Sequence, residues 1–97
     1  MIFTQLEGKV TSEQWDTLKQ AFHAGIQPLP PAIYQTYLIQ DQTESEVWRI
    51  ITIWRSYEAL QDYRASIETP EGIIMFRAAG TEPTLSVGEV MDYSHQD

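Results

Sequence analysis

Residues 47–60 read Val47-Trp48-Arg49-Ile50-Ile51-Thr52-Ile53-Trp54-Arg55-Ser56-Tyr57-Glu58-Ala59-Leu60. Up to Trp54 the run is β-prone and apolar on both sides, Val47, Ile51 and Ile53 alternating with Trp48, Ile50 and Trp54, so it predicts a central strand. At Ser56 the period changes. A hydroxyl there can cap a helix, Glu58 sits in the first turn where the helix dipole favours negative charge, and Leu60, Tyr63 and Ile67 make an apolar stripe.

Working outward, the polar bridge Asp41–Ser45 joins this strand to another β-prone run, Ile33–Ile39, as a hairpin. Before it, Gln27-Pro28-Leu29-Pro30-Pro31 cannot continue a helix and reads as an extended loop. Ile2 to Val10 alternates Ile2, Leu6 and Val10 against Phe3, Gln5, Glu7 and Lys9, which suits a first strand, with Gly8 marking a bulge or a close backbone approach. A helix follows, with Trp15, Leu18 and Phe22 on one face, Thr11 or Ser12 as its cap, Gln14 placed to complete a capping box from Thr11, and Gly25 for a left-handed cap. Downstream, Thr69-Pro70-Glu71 opens a short helix carrying Ile73, Phe76 and Arg77, Gly80 closes it, and Leu85 to Tyr93 alternates as a last strand.

The order strand, helix, strand, strand, helix, strand predicts an α+β, ferredoxin-like βαββαβ domain over residues 1–97, its helices on one face of a four-stranded antiparallel sheet. Two main helices cover one face only, yet the third strand is apolar on both. The uncovered face predicts a homodimer.

Composition limits the chemistry. A net charge of −8 with six scattered basic residues argues against nucleic-acid binding and against a polybasic membrane patch. No apolar stretch approaches the roughly 20 residues needed to span a bilayer, and Met1–Leu6 lacks the features of a signal peptide, so a cytoplasmic protein is expected. Cysteine is absent, which removes thiolate ligands, disulfides and a Cys nucleophile. The carboxylates show no metal-ligand spacing, and neither a phosphate-binding glycine loop nor a nucleophile-elbow serine occurs.

The run Trp54-Arg55-Ser56-Tyr57-Glu58-Ala59-Leu60 resembles the W-x-S-x-E-A pattern of the antibiotic-biosynthesis-monooxygenase-like members of the dimeric α/β-barrel superfamily. Pro70–Phe76 and the last strand fit the same layout, so the resemblance covers nearly the whole chain. It implies a dimeric barrel of two sheets with a pocket between each subunit's sheet and helices. Members oxidise polycyclic phenols without a cofactor, degrade haem, act on quinols, or have no assigned activity.

The resemblance also implies a pocket Asn on the first strand, a Trp on the second helix and a His further on. Here those places fall near Gln5 or Leu6, at or next to Tyr63, and near Met75 or Phe76. Without a His there, no axial ligand would hold a haem iron, and no cofactor or metal is expected. Tyr63 is the catalytic candidate, because a phenol facing a pocket can stabilise an oxyanion, although aromatics at helical spacing are more often core. Leu6, Trp48, Met75 and Phe76 are the candidate pocket residues; Trp48 reads equally as a core aromatic. Arg49, inside an apolar strand, can cross a dimer interface to Glu89 or line the barrel. Arg64 and Arg77 can clamp an anion, or pair with Glu68 and Glu71.

Three functions follow in order. The first is a cofactor-independent monooxygenase or related enzyme acting on an aromatic or quinone-like molecule. The alternative is a non-catalytic dimeric domain binding a small apolar ligand, which the missing Asn and His favour. An amino-acid-binding regulatory module ranks last, because no partner domain is attached.

Overall fold

A computed structural model describes all residues, Met1–Asp97. The chain runs β1 (Ile2–Lys9), a 3-10 turn (Ser12–Gln14) leading into α1 (Trp15–Gly25), β2 (Ile33–Gln40), β3 (Val47–Trp54), α2 (Tyr57–Ser66), α3 (Glu71–Ala78) and β4 (Thr84–Glu89). All strand pairs are antiparallel, in the order β2-β3-β1-β4, and the helices lie on one face, so the fold is ferredoxin-like α+β. No helix is long and apolar enough to cross a membrane.

Alternation on β3 sorts the two faces. Trp48, Ile50, Thr52 and Trp54 are buried toward the helices, while Arg49, Ile51 and Ile53 on the other face are half-buried. The core gathers Leu6, Val10, Leu18, Trp48, Ile50, Met75, Phe76 and Ala79 beneath α1 and α3. Two glycines let these layers meet. A Cβ on Gly8 would come within 3.0 Å of the Phe76 ring, and one on Gly72 within 2.7 Å of Leu6 Cδ1. Gly8 thus marks a close approach, and the register shift falls instead between Ile33 and Gln35.

Helix ends follow the sequence unevenly. Ser56 Oγ accepts the Ala59 N–H at 3.0 Å, the expected cap. Thr11 makes no side-chain cap; Gln14 N–H reaches the Thr11 carbonyl at 2.8 Å instead, which closes a 3-10 turn before α1. Gly25 is the last residue of α1 and is not left-handed, the only positive-φ glycine being Gly80, at 83°, just past α3. What position 25 requires is room, since a Cβ there would overlap Met75 Cε. Pro70, rather than Thr69, is the residue before the first turn of α3.

The last strand stops at Glu89, short of Tyr93. Its final bond to the N-terminal segment is Val90 N–H to the Met1 carbonyl at 2.9 Å. Met91 and Tyr93 are therefore exposed.

Arg49 stays within its own chain. Its Nε donates to Glu7 Oε1 at 2.7 Å and its Nη1 to Asp41 Oδ1 at 2.9 Å. Asp41 Oδ2 also accepts the Thr43 and Glu44 N–H groups, at 3.0 and 2.8 Å, and so shapes the β2–β3 turn. The Glu44 N–H, then Arg49 and Thr43, hold the Asp41 carboxyl below the usual carboxylate range.

Two expectations follow. Replacing Ser56 by Ala costs about 1 kcal/mol of stability in urea unfolding, whereas Thr11→Ala costs little, because only Ser56 accepts a cap bond. A depressed folded-state pKa stabilises the fold above the ordinary Asp value of about 3.9 and loses that contribution as pH falls through the folded value. The melting-temperature gap between wild type and Asp41→Ala should hold at neutral pH and narrow below about pH 4.

Candidate functional site

Between the sheet, α2, the start of α3 and the Gly25–Pro30 loop lies a cavity of about 720 Å³. Its floor comes from register. Thr4 on β1 stands opposite Thr52 on β3, and Thr52 opposite Thr36 on β2, so three threonines form one row across three strands. All three line the cavity. Threonine is short, so a helix resting on larger neighbours at either end leaves space above the row. Leu6 and Ile50 flank it on one side and Trp54 on the other.

Polar groups on the floor are tied to one another. Thr36 and Thr52 hydroxyls lie 2.9 Å apart, and Trp54 Nε1 donates to Thr4 Oγ1 at 2.9 Å. Thr4 and Thr52 are buried, and these bonds offset the cost of removing their hydroxyls from water.

Tyr63 lines the wall from α2. Its ring lies 4.9 Å from that of Trp54, tilted by 51°, which fixes its direction. The hydroxyl accepts the Glu71 N–H at 3.2 Å, one of the unpaired donors at the start of α3. Its own proton stays free to donate. The residue therefore both joins α2 to α3 and presents an O–H at the cavity wall.

Leu6, Tyr63 and Met75 come together around this space, and Trp48 and Phe76 do not. Trp48 lies four residues from Thr52 along β3, roughly 13 Å by strand rise, and packs on Trp15 with ring centroids 5.9 Å apart. Phe76 follows Met75 on α3, about 100° further round the helix, which turns it onto Gly8 in the closed core. Alternation likewise decides between the two first-strand positions, since Leu6 faces the helices and Gln5 the open face.

Charge is confined to the helix side, where Arg64, Glu68 and Glu71 join the lining. Arg64 forms no ion pair, and Arg77 is engaged elsewhere, with both of its hydrogen bonds to Glu82 at 2.8 Å. Neither histidine lines the cavity: His23 contacts Gln27, and His95 pairs with Asp97 in the tail. A haem would find no nitrogen ligand there. No group of three His, Asp or Glu side chains is placed to hold a metal.

The threonine floor was not among the expected site residues. Each is a polar residue at a core-facing strand position, and that is the available signal; alignment into a row depends on pairing register, which single strands do not reveal. The Pro28–Pro30 segment of the extended loop also lines the cavity.

No protein-family model matches the sequence, and no curated protein matches it either. Solved structures do. A candidate antibiotic biosynthesis monooxygenase from Deinococcus radiodurans superposes with a TM-score of 0.74 at 13% identity, covering 100% of this chain and 99% of that one. SnoaB, a cofactor-independent oxygenase from Streptomyces nogalater, gives 0.70 at 10% identity over 95% of this chain and 94% of its own. A conserved protein from Methanosarcina mazei Go1 gives 0.71 at 11% identity, with 90% and 89% covered. The likeness first read in Trp54–Leu60 thus extends through the whole architecture, and the chain has the ferredoxin-like fold of the antibiotic-biosynthesis-monooxygenase-like structures.

Proposed function

We propose that this protein is a cytoplasmic homodimer, each subunit of which binds a small aromatic or quinone-like molecule in the cavity and acts on it as a cofactor-independent monooxygenase or related enzyme. The observation that carries the reading is a largely apolar cavity with the Tyr63 hydroxyl at its wall, its proton uncommitted. An oxygenase of this kind requires a substrate that itself supplies the electrons for dioxygen, which an electron-rich phenol or a quinol does: one oxygen atom enters the ring, the other leaves as water, and the ring is oxidised to the quinone level. Tyr63 would then donate a hydrogen bond to the oxygen that gains negative charge. Similarity to a cofactor-independent oxygenase supports the chemistry at the level of fold.

The alternative of a ligand-binding domain without chemistry draws on one specific feature. Tyr63 already accepts the α3 N–H, a role that is complete without a substrate.

Dimer formation rests on the open face of the sheet. Phe3, Ile51 and Ile53 are only half-buried there, and Tyr37 and Ile39 are exposed beside them on β2. A contiguous patch of this kind is what monomers usually avoid, and a second copy covers it isologously. Light scattering on a sizing column should give twice the chain mass in both low and high salt, with Ile51→Asp giving a monomer. A monomeric wild type would remove this part of the reading.

Catalysis is tested by oxygen uptake with a panel of quinols and polycyclic phenols. On any active compound, Tyr63→Phe keeps the ring and should lower the rate on the order of a hundredfold. Loss of the bond to Glu71 costs about 1 kcal/mol in stability, small enough to leave the fold intact. Full activity in Tyr63→Phe would remove the catalytic role of Tyr63, whereas binding of these compounds by wild type without any oxygen uptake would leave the non-catalytic alternative.

A further inference from the structure

The threonine row has donor capacity that the fold does not use. Thr4 Oγ1 accepts from Trp54 Nε1, and that is its only hydrogen bond, so its own proton is unassigned. The Thr36–Thr52 bond consumes one hydroxyl proton of that pair and leaves the other. Three hydroxyls therefore bring two free O–H donors to the cavity floor. Thr4 and Thr52 sit on strands with ladders on both sides, and Thr36 on the edge strand β2, which is paired with β3 alone. The floor carries no charge, the nearest charged lining residues being on α2, α3 and the segment between them.

We propose that this row is the subsite for a neutral carbonyl oxygen of the bound molecule, and that it fixes which edge of a flat ring system faces the sheet. The inference deepens the ligand reading given above and rests on it. Its chemistry is that of donors without a cation: a ring carbonyl accepts from two hydroxyls and brings no charge to be desolvated, whereas a carboxylate would enter a buried floor without a counter-ion. Strand spacing sets the width. Adjacent strands lie about 4.8 Å apart, so the row from Thr4 to Thr36 spans roughly 10 Å, comparable to the long edge of a two-ring system. Tyr63 approaches from the helix side, so a ligand held at one edge by the row would present another part of its ring to the Tyr63 hydroxyl.

The probes are menadione, a two-ring quinone, and 2-methylnaphthalene, a similar ring system without the carbonyls, measured by equilibrium dialysis. The variants are Thr36→Val/Thr52→Val and Thr36→Val alone. Both keep side-chain shape, and the double change removes both partners of one hydrogen bond together, the substitution least costly to folding. Wild type should hold menadione more tightly than 2-methylnaphthalene. The double variant should weaken menadione about fivefold to tenfold while leaving 2-methylnaphthalene within about twofold, which also reports that the cavity is intact. Thr36→Val should weaken menadione by less, since it leaves the Thr52 hydroxyl in place. If both probes bind and the double variant holds menadione as tightly as wild type, the carbonyl subsite is wrong while the ligand reading stands. Equal weakening of both probes also overturns it, because the row then acts through packing. Absence of binding of either probe to wild type overturns both readings together.

Discussion

The indole of Trp54 connects the parts of this structure that matter for the cavity. Its Nε1 is held by Thr4 on the neighbouring strand, its ring face meets Tyr63, and it is the last residue of β3 before the chain turns through Ser56 into α2. Each connection constrains a different element. The Thr4 bond fixes the ring against the sheet floor, the Tyr63 contact sets how far α2 stands above that floor, and the Ser56 cap determines where the helix begins. Tyr63 passes the constraint on, since its hydroxyl receives the first N–H of α3. A space bounded by α2, α3 and the sheet thus has its dimensions tied to one buried side chain.

Much of this was legible in residues 47–60, because burial on both faces of a strand and a change from period 2 to helical spacing are local properties of the sequence. Ser56 could be read as a cap for the same reason. Other features depend on which strand lies beside which. The Arg49 partners Glu7 and Asp41 are 42 and 8 residues away along the chain, and the Glu7 contact exists because Glu7 pairs directly across from Arg49. The threonine row has the same origin. Alternation along the last strand continues to Tyr93, while pairing with β1 ends at Ile2 opposite Glu89. Periodicity describes what a segment could bury, and pairing decides what it does bury.

The two faces of the sheet handle polar groups by different means. On the open face, the half-buried Arg49 guanidinium sits between two carboxylates and ties β3 to β1 and to the β2–β3 turn. Apolar side chains of β3 and β2 surround it there, so any partner laid on this face meets a mixed surface with its charges already paired. On the helix face of the sheet, polarity is neutral and confined to hydroxyls and the indole N–H groups of Trp48 and Trp54. Hydroxyls tolerate burial once each has a partner, which ionised groups do far less readily.

That difference bears on what the cavity can exchange. A floor with two unassigned O–H donors is polar enough to order the water that enters this open cavity. Water held there is displaced with gain only by a group that accepts the same hydrogen bonds. An oxygen-bearing aromatic meets that condition at its polar edge and gains by apolar contact elsewhere, against Leu6, Ile50 and Met75. A plain hydrocarbon of the same outline must strip the floor without replacing its partners. On the proposed reading, selectivity for an oxygenated ring arises at three threonines that lie in one row because β1, β3 and β2 are paired in the register that also buries Trp54.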